Sequence, residues 1–333
     1  MPAASTRRRS LLLACAAVAA VSLLLSLAMG SVRPPASPPL SFSLSAASAS
    51  SPPGKMVVVS TNLMAGLGNQ PPMRPRMALY VDRLLNQTPY FPDVLLLQEV
   101  KRSSADRVAY LLSRKTGDRY VVAVRPPRIP WHQTPRIRTE TDSGIVINAT
   151  TTKKLDRGGY ISLTYKRSDA ADPTDRVEIN QHARLSVGEK SGGLELGVAS
   201  VHFQYKRLKN HALWRFYQKK WAKKVAAKLT SKYPGTQHTV GGDFNRTRCI
   251  HPGSPLTCKK NPFWRVFVNR SNYRDSIYKV WRDGKKHLGL GGVDFIFTKG
   301  NPTNARDDRS YDPQSPSQFY SDHRFLWAVI SAR

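Results

Sequence analysis

A succession of short apolar runs is the feature that most constrains how this chain can fold. The runs are rich in β-branched and aromatic residues, and they read KMVVVSTNL, DVLLLQEV, YVVAV, SGIVIN, GYISLTY, ARLSV, LELGVASVHF, HTVGGDFN, VDFIFTK and FLWAVIS. Such runs are typical of β-strands. Several are continuously apolar, as expected of central strands that are covered on both faces. The chain should therefore form sheets whose faces are buried by other layers.

Helical patterns separate these runs, and the clearest of them reads NHALWRFYQKKWAKKVAAKL. Its apolar side chains recur at spacings of three and four, at Trp214, Tyr217, Trp221, Val225 and Leu229. This period is that of one face of an α-helix, so the stripe should pack on a sheet while the lysines face water. The sequence contains no internal repeat. The pattern predicts a single layered α/β domain.

Residues 1–30 have the pattern of an export signal. STRRRS supplies a cationic head, LLLACAAVAAVSLLLSLAMG supplies an apolar run, and Ala28 and Gly30 offer a cleavage site. Arg8 and Arg9 resemble a twin-arginine signal, with Sec export as the alternative. The apolar run is also long enough to cross a bilayer, so a retained anchor is the competing interpretation. The protein is therefore expected to be secreted or, alternatively, membrane-anchored and facing outside, with membrane contact only through an uncleaved N-terminal segment.

A spacer is predicted after this signal. Residues 31–55 contain six prolines, eight serines and no acidic residue. A segment of this composition should be extended and solvated. The folded domain is then expected to comprise residues 56–333.

The cysteines agree with export. Once Cys15 is removed with the signal, only Cys249 and Cys258 remain. In an oxidising compartment, two thiols separated by a short loop most simply form one disulfide. A metal site needs more ligands than this pair supplies.

The charge balance is strongly basic, with 52 Lys and Arg against 22 Asp and Glu and a formal net charge of +30. Such a field concentrates polyanions, either nucleic acid or an anionic membrane surface. The alternative is a basic surface without specific binding. Acidic residues are absent between Glu195 and Asp243, whereas Lys206 to Lys232 include ten Lys and Arg.

A second basic segment, RPPRIPWHQTPRIRTE, interleaves cations with aromatic rings. Arg136 and Arg138 are predicted to contact phosphates, with Trp131 available to stack on a base. The sequence shows no long apolar loop that would insert into a membrane. These features favour nucleic acid over a lipid head group as the substrate.

Polar side chains stand at or just past the ends of several apolar runs. They are Asn62, Glu99, His202, Asp243, Asn245, Asp294, Asp322 and His323. Any one of them alone is most simply the beginning of a turn. Together they comprise metal-ligand and acid-base residue types, and strand ends in a layered sheet converge in space. We expect these side chains to form one site.

The sequence resembles the endonuclease/exonuclease/phosphatase superfamily, whose fold is that of deoxyribonuclease I. The resemblance is carried, in the family's order, by STN at 60–62, LLLQEV at 95–100, VASVHF at 198–203, GGDFN at 241–245, GGVDFIF at 291–297 and SDHR at 321–324. It implies a four-layered α/β sandwich, in which two mixed β-sheets pack face to face with helices outside. It also implies phosphodiester or phosphomonoester hydrolysis.

The chemistry of phosphodiester cleavage suggests roles for these residues. A divalent ion with hard oxygen ligands offsets the negative charge of the transition state. Glu99 and Asn62 are expected to hold this ion, which should be Mg²⁺, with Mn²⁺ or Ca²⁺ as alternatives. Asp322 is expected to bind a second ion or to support the first. His323 is the predicted general base that deprotonates water, and Asp294 would orient its ring.

The remaining residues are assigned to the phosphate and the water. Asp243 would position the attacking water, and Asn245 would bond a phosphoryl oxygen. Gly241 and Gly242 would let the scissile phosphate approach the backbone. His202 would bond the phosphate or protonate the leaving oxygen. Arg184, in QHARLSV, occupies a position where relatives place a phosphate-contacting arginine, and the alternative is a solvated strand charge.

One feature departs from the resemblance. The secreted deoxyribonuclease I branch has a glutamate after the third strand that supports the histidine matching His202, whereas this chain reads YVVAVRPPRIP there. Either another group orients His202, or the role of His202 is electrostatic.

Three functions are compatible with these observations. The favoured one is an exported metal-dependent nuclease of low sequence specificity that cuts DNA, with RNA as a further substrate, and acts as a monomer without an obligate protein partner. The second is a phospholipid or inositol-phosphate hydrolase of the same fold, similar to sphingomyelinases. The third, a binding protein without activity, is disfavoured because every motif residue is present.

Overall fold

The computed structural model describes residues 49–63, 73–127, 142–171, 180–203, 208–245, 261–282, 294–308 and 319–333. The predicted export signal and most of the predicted spacer lie outside these residues. The end of the predicted spacer contacts the folded domain, whereas the sequence predicted a solvated segment there. Ala49 O accepts a hydrogen bond from Phe91 N, and Gly54 N donates to Glu189 Oε2 at 3.0 Å. Ala49 and Gly54 therefore belong to the packed part of the domain.

The first sheet has six strands in the order β12-β13-β1-β2-β4-β3. The strands are β1 (Lys55–Asn62), β2 (Val94–Val100), β3 (Tyr120–Val124), β4 (Asp142–Asn148), β12 (Asn301–Asp307) and β13 (Leu326–Ser331). Strands β1 and β2 are parallel, and the other pairs are antiparallel. The sheet is therefore mixed.

The second sheet has seven strands in the order β10-β11-β9-β8-β7-β5, with β6 also paired to β7. The strands are β5 (Thr152–Lys154), β6 (Gly159–Leu163), β7 (Asn180–Glu189), β8 (Glu195–His202), β9 (Gln237–Asp243), β10 (Arg274–Asp275) and β11 (Asp294–Thr298). Only β8 and β9 are parallel among the described pairs. This sheet is mixed as well.

Five α-helical segments accompany the sheets in the described part of the chain. They are α1 (Met73–Gln87), α2 (Arg102–Thr116), α3 (His211–Lys232), the single turn α4 (Pro262–Trp264) and α5 (Ser276–Arg282). A π-helical segment, Arg265–Arg270, continues α4, and a 3₁₀ turn covers Arg167–Asp169. Among the described residues, no helix combines the length and apolar character needed to cross a bilayer.

Three apolar layers hold the four structural layers together. Alternate side chains of β1 point to opposite faces, so that Val57 and Val59 pack under α1 and α2 while Met56 and Val58 meet the second sheet. The inner layer combines both sheets and includes Leu96, Ile145, Leu185, Val198 and Ile296. The third layer lies between the second sheet and α3. The predicted four-layered α/β sandwich is confirmed.

Helix α3 is the predicted amphipathic helix. Its stripe of Trp214, Tyr217, Trp221, Val225 and Leu229 is buried, and the lysines between these residues are mostly exposed. Asn210 begins the helix by accepting a hydrogen bond from Leu213 N at 3.0 Å. All ten predicted strands are present.

Three of the described strands were not expected from the sequence. β5, β10 and β12 lack an apolar run, since β12 reads NPTNARD and β5 reads TKK. β5 and β12 are the last strands of their sheets in the described part of the chain. A strand at a sheet edge forms because its neighbour offers backbone partners, and its own side chains need not be apolar.

Candidate active site

The candidate active site forms where strand ends of the two sheets meet. In the second sheet, His202 pairs with Asp243 across β8 and β9, and Asp243 pairs with Asp294 across β9 and β11. Three chemically active side chains therefore stand next to one another on adjacent strands. The first sheet contributes Asn62 at the end of β1 and Glu99 near the end of β2.

A backbone irregularity directs Glu99. The pairing of β2 with β4 shifts register between Leu97 and Val100, and Glu99 has a positive φ of 47°. A non-glycine residue in this conformation is uncommon, and bulges of this kind re-aim a side chain at the end of a strand. As a result, Glu99 Oε1 accepts a hydrogen bond from Asn62 Nδ2 at 2.9 Å.

Asp243 is the central group of the site. Its Oδ2 accepts a hydrogen bond from Asn62 Nδ2 at 3.2 Å and lies 3.5 Å from His202 Nε2 and 3.7 Å from His323 Nε2. Its Oδ1 accepts from Asn245 N at 2.7 Å. The residue is only 1% exposed. One buried carboxylate thus connects the two imidazoles with the amide of Asn62.

Burial raises the pKa of Asp243, and the nearby histidines His202 and His323 oppose this shift while the charge of Asp294 adds to it. A buried carboxylate of this kind is stabilised in its charged form by a cation. Together with the negative groups around it, this favours binding of a positive ion at the site.

His323 and Asp294 form the shortest contact between two ionisable groups of the site, with 2.9 Å from Nδ1 to Oδ2. Burial by itself lowers the pKa of His323, but the charge of Asp294 and its hydrogen bond, together with Asp243 and Asp322, raise this pKa to about 10. In the absence of a bound cation, the ring is therefore protonated at neutral pH. Asp322 Oδ1 lies 3.7 Å from His323 Nε2.

Two groups of side chains could hold a metal ion. One is Glu99, His202 and Asp243, and the other is Asp243, Asp294 and His323; in each group the ligand atoms lie within 4.8 Å of one another. The first contains the predicted ligand Glu99, with Asn62 hydrogen-bonded to both of its carboxylates. Neither group, among the described residues, includes Asp322, whose ligand role stays a prediction.

The residues of this site lie within a match to a known protein family. The model of the Endonuclease/Exonuclease/phosphatase family matches residues 59–323. The chain belongs to this family. Members of the family are hydrolases that act on phosphodiesters, and they generally use a divalent metal. A search of curated proteins found no match.

Solved structures with this fold include three informative neighbours. The human Nocturnin catalytic domain with bound sulfate is 18% identical, with a TM-score of 0.56 over 84% of this chain and 94% of that one. A Bacteroides vulgatus endonuclease/exonuclease/phosphatase is 12% identical, with a TM-score of 0.56 over 84% and 99%. D. rerio TDP2 complexed with single-strand DNA product is 15% identical, with a TM-score of 0.53 over 84% and 99%. At these identities the likeness establishes the fold.

In this endonuclease/exonuclease/phosphatase domain, Asn245 makes internal contacts. It has a positive φ of 50°, and its Nδ2 donates to Phe203 O at 2.8 Å and lies 3.4 Å from Asp243 Oδ2. These contacts fix the end of β9 against the end of β8. The predicted bond from Asn245 to a phosphoryl oxygen is not among them and stays a prediction.

Ser321 is a supporting residue that the sequence analysis missed. Its hydroxyl donates to Asn62 O at 2.6 Å and accepts from His323 N at 3.2 Å. The residue is fully buried. It therefore ties the loop that carries His323 to the strand that carries Asn62. SDHR included this serine, but a serine in a loop motif gives no sequence signal for such a contact.

His182 is a second residue that the sequence analysis missed. β7 pairs with β8 only as far as Arg184 and Ala199. Beyond that point the side chain of His182 replaces a backbone partner, because its Nδ1 accepts from His202 N at 3.0 Å. The ring is 1% exposed, and burial followed by the charge of His202 lowers its pKa to about 3. A neutral imidazole thus supports the strand end that carries His202.

Two carboxylates approach His202 in the described part of the chain, those of Glu99 and Asp243. Its Nε2 lies 3.7 Å from Glu99 Oε1, in addition to its approach to Asp243. The backbone of His202 is held separately, by the hydrogen bond from its N to His182 Nδ1. Groups other than the missing glutamate therefore approach the Nε2 side of the His202 ring.

Gly241 and Gly242 serve sheet packing, which corrects the expectation that they make room for a phosphate. A Cβ on Gly241 would lie 2.7 Å from Leu96 Cδ1 and 2.9 Å from Ser60 Cβ, both on the opposite sheet. A Cβ on Gly242 would lie 1.9 Å from Val201 O on the adjacent strand. Gly241 therefore allows the two sheets to approach closely beneath the site, and Gly242 allows β9 to lie close to β8.

Arg184 lies in a different cluster. Its Nη1 donates to Tyr233 Oη at 2.7 Å and lies 3.5 Å from Asp156 Oδ2, and its guanidinium stacks on the Tyr233 ring. These contacts, at the C-terminal end of α3, link that helix to β7. Arg184 is therefore not a freely solvated charge, and its predicted contact with phosphate stays a prediction.

Several predicted residues fall outside the described part of the chain. They are Trp131, Arg136, Arg138, Cys249 and Cys258. Their phosphate-binding, stacking and disulfide roles stay predictions. Of the same basic segment, Arg125 is described, and it forms an exposed ion pair with Asp106 at 2.6 Å.

Proposed function

We propose that this protein is an exported, divalent-metal-dependent nuclease of low sequence specificity that hydrolyses DNA, with RNA as a further substrate. The observation that carries the proposal is that the Nε2 atoms of both His202 and His323 lie close to Oδ2 of the Asp243 carboxylate, at 3.5 and 3.7 Å. Two imidazoles around one buried carboxylate can address the two sides of a phosphorus centre.

A metal ion fits the residues of the site. Glu99 and Asp243 supply hard oxygen ligands of the kind that Mg²⁺ prefers, and Mn²⁺ or Ca²⁺ would accept the same ligands. Glu99 is partly exposed, so it is accessible from solvent. When bound, the ion would supply positive charge to offset that of the phosphate and of the transition state. Its ligands would be Glu99 and Asp243, with Asn62 beside them.

The protein groups around this position have separate tasks. His323, oriented by Asp294, would take a proton from the attacking water through Nε2, which faces Asp243. Asp243 would orient that water. His202, at the end of β8 in the second sheet, lies next to Glu99 of the first sheet and would donate to the phosphate or to the leaving oxygen.

General-base action by His323 requires a neutral ring, whereas Asp294 and the other carboxylates hold its pKa at about 10 in the protein without a cation. A positive charge near Asp243 and Asp322 opposes this effect and lowers the pKa of His323. Ion binding and the protonation state of the base are therefore linked in this site.

The substrate assignment rests on charge. The chain carries a net charge of +30, which suits a polyanion. In the same fold, D. rerio TDP2 was solved with a single-strand DNA product. Export rests on the pattern of residues 1–30 alone. The competing substrate class is a phospholipid or an inositol phosphate.

One set of assays tests the proposal. Purified protein is incubated with plasmid, RNA and sphingomyelin liposomes, in Mg²⁺, Mn²⁺, Ca²⁺ or chelator. We expect plasmid cleavage that chelator abolishes. His323→Ala should lose this activity, whereas His211→Ala, which removes an exposed histidine on α3, should retain it. Cleavage that survives both chelator and His323→Ala contradicts the mechanism, and turnover of liposomes alone contradicts the substrate.

A further inference from the structure

A cavity of about 290 Å³ lies on the outer face of the second sheet's helical layer, between α3 and the segment Pro262–Arg270. We call it the basic groove. Its lining includes the cations Arg215, Lys219, Arg265 and Arg270, the ring of Phe216, and the buried side chain of Val266. None of these residues belongs to the candidate active site.

The cations of the basic groove lack counter-charges in the part of the chain that the structure describes. All four are exposed, and none of them forms an ion pair with another described residue. The sequence explains this, because residues 196–242 and 244–274 contain no Asp or Glu. Four positive charges around one concave surface repel one another, and an anionic ligand would relieve this repulsion.

Helix geometry brings these cations together. Arg215 and Lys219 are four residues apart on α3, so they lie on the same face. Arg265 and Arg270 are five residues apart in the π-helical segment, where Ser271 N donates to Val266 O at 3.0 Å. A π-helical turn closes over five residues, so both arginines face the groove. The π-helical turn thereby brings Arg270 to the same side as Arg265.

Phe216 supplies an exposed aromatic surface among these charges. Its side chain is 57% exposed, and among the described residues only Tyr110 and Leu155 are also large, apolar and exposed. It lies outside the buried stripe of α3 and packs edge-on against Tyr217 at 5.2 Å between ring centroids. A solvent-facing ring between cations offers a stacking surface for a base.

Both walls of the basic groove rest on the residue between two active-site side chains. From α3, Gln218 Nε2 donates to Phe244 O at 3.0 Å. From the other wall, the Phe263 ring stacks on Phe244 at 4.6 Å. Phe244 separates Asp243 from Asn245 in the chain. The groove is therefore anchored to the end of β9, from which the site is built.

We propose that the basic groove is a second binding site for the substrate, and that it holds single-stranded nucleic acid. Backbone phosphates would contact the four cations, and an unpaired base would stack on Phe216. This inference rests on the proposed function, since the strand held in the groove is one that the site cleaves. An unpaired strand is required because a paired base cannot offer its face to the ring. A membrane surface is disfavoured, because the cations line a concavity with one exposed ring.

Binding is tested with a fluorescent oligothymidylate in chelator, so that the probe stays intact. Arg265→Gln/Arg270→Gln is compared with Lys224→Gln/Lys232→Gln, which makes the same charge change on exposed lysines of α3 outside the groove. The groove variant should bind more weakly, and its slope of log affinity against log salt should fall by about 0.7 for each phosphate that the protein no longer neutralises. The control should change affinity little.

Phe216 gives an independent test. Phe216→Ala should weaken binding by roughly 5- to 100-fold, and Phe216→Trp should restore it, because stacking needs an aromatic face. Equal affinities for Phe216→Ala and Phe216→Trp overturn the stacking part of the inference. If the arginine double variant and the lysine double variant lose affinity to the same extent, the effect is one of overall charge, and the groove is not a specific site. If the groove variant binds anionic liposomes more weakly but oligothymidylate as well as the wild type does, the groove is a membrane site, and the inference is overturned.

Activity assays separate this inference from the proposed function. Hydrolysis of bis(4-nitrophenyl) phosphate needs only the active site, so the groove variants should keep its kcat/KM while the KM for single-stranded DNA rises. If the groove variants cleave plasmid and oligonucleotide as the wild type does, the inference is contradicted, whereas the proposed nuclease function is not. Groove-dependent oligonucleotide binding without hydrolysis of any phosphodiester contradicts the nuclease and supports the groove as a nucleic-acid site.

Discussion

The Nδ1 of His323 lies 2.9 Å from Oδ2 of Asp294, and this pair joins the two sheets at the end of the sandwich. Asp294 is on β11 of the second sheet, whereas His323 precedes β13 of the first. Substitution of Asp294 by Asn should therefore remove the charge that raises the pKa of His323 and disturb the ring's orientation. We expect kcat to fall on the order of 10³- to 10⁴-fold. Histidine NMR in chelator should show a lower pKa for His323, and an unchanged titration would contradict the assignment.

The stability of the metal-free protein should decrease as the pH rises above neutrality. The pKa of His323 is about 10 in the folded state and 6.5 in the unfolded state. The protonated ring therefore stabilises the fold fully below pH 6.5, and this contribution is lost as the pH approaches 10. The slope is at most about 1.4 kcal/mol per pH unit. Urea unfolding in chelator should show this slope for the wild type but not for His323→Gln.

His182 should make the protein sensitive to acid. Its pKa is about 3 in the folded state and 6.5 in the unfolded state, because the buried ring resists protonation. The unfolded chain therefore binds more protons between these values, and stability is lost as the pH falls from 6.5 towards 3. In His182→Asn, which keeps a side-chain acceptor, the free energy of unfolding should depend less steeply on pH, by about 1.4 kcal/mol per unit. Identical slopes would argue against a buried neutral ring.

Magnesium should stabilise the protein through Glu99. A ligand that binds only the folded state at 100 times its Kd adds about 2.7 kcal/mol of stability. The wild type should therefore show a Tm that rises with Mg²⁺, and Glu99→Gln, which keeps the size and polarity of the side chain, should show a much smaller rise. Equal responses of the two proteins would place the ion elsewhere.

The close packing of β9 against the opposite sheet and against β8 should make its glycines intolerant of substitution. Gly242→Ala places a Cβ 1.9 Å from the backbone oxygen of Val201, which cannot move without breaking the strand pairing. Gly241→Ala meets the ends of the Leu96 and Ser60 side chains, at 2.7 and 2.9 Å. Overpacking of this type costs about 1–3 kcal/mol. Thermal unfolding should therefore rank Gly242→Ala as the less stable variant, and a reversed order would contradict the packing argument.

The sequence was sufficient for the layered fold, because burial on both faces forces long apolar runs such as VLLLQEV. It was also sufficient for the convergence of His202, Asp243 and Asp294, because the first two end their apolar runs, the third begins its run, and the three runs became adjacent strands. β12 was missed since its contribution is backbone pairing with β13, which its polar side chains do not encode. Pairing of this kind depends on the neighbour.

Residues that act through a single contact were beyond sequence reasoning. His182 lies within a strand, and nothing in QHARLSV distinguishes a ring that replaces a backbone acceptor from one that faces solvent. Arg184, two residues later, was assigned to phosphate by resemblance, whereas its contacts are with Asp156 and Tyr233. Gly241 and Gly242 were likewise explained through the ligand, although the opposite sheet and the adjacent strand are what they accommodate.

The hydrogen bond from Asn62 to Asp243 spans 181 positions of the chain and crosses from one sheet to the other. Neither sheet contains the complete catalytic set by itself. During refolding, a species with one finished sheet and an undocked partner would have native-like secondary structure but no capacity for turnover. After dilution from denaturant, activity should therefore recover only when the two sheets have docked. If docking is the slow step, activity should recover later than the far-UV circular dichroism signal.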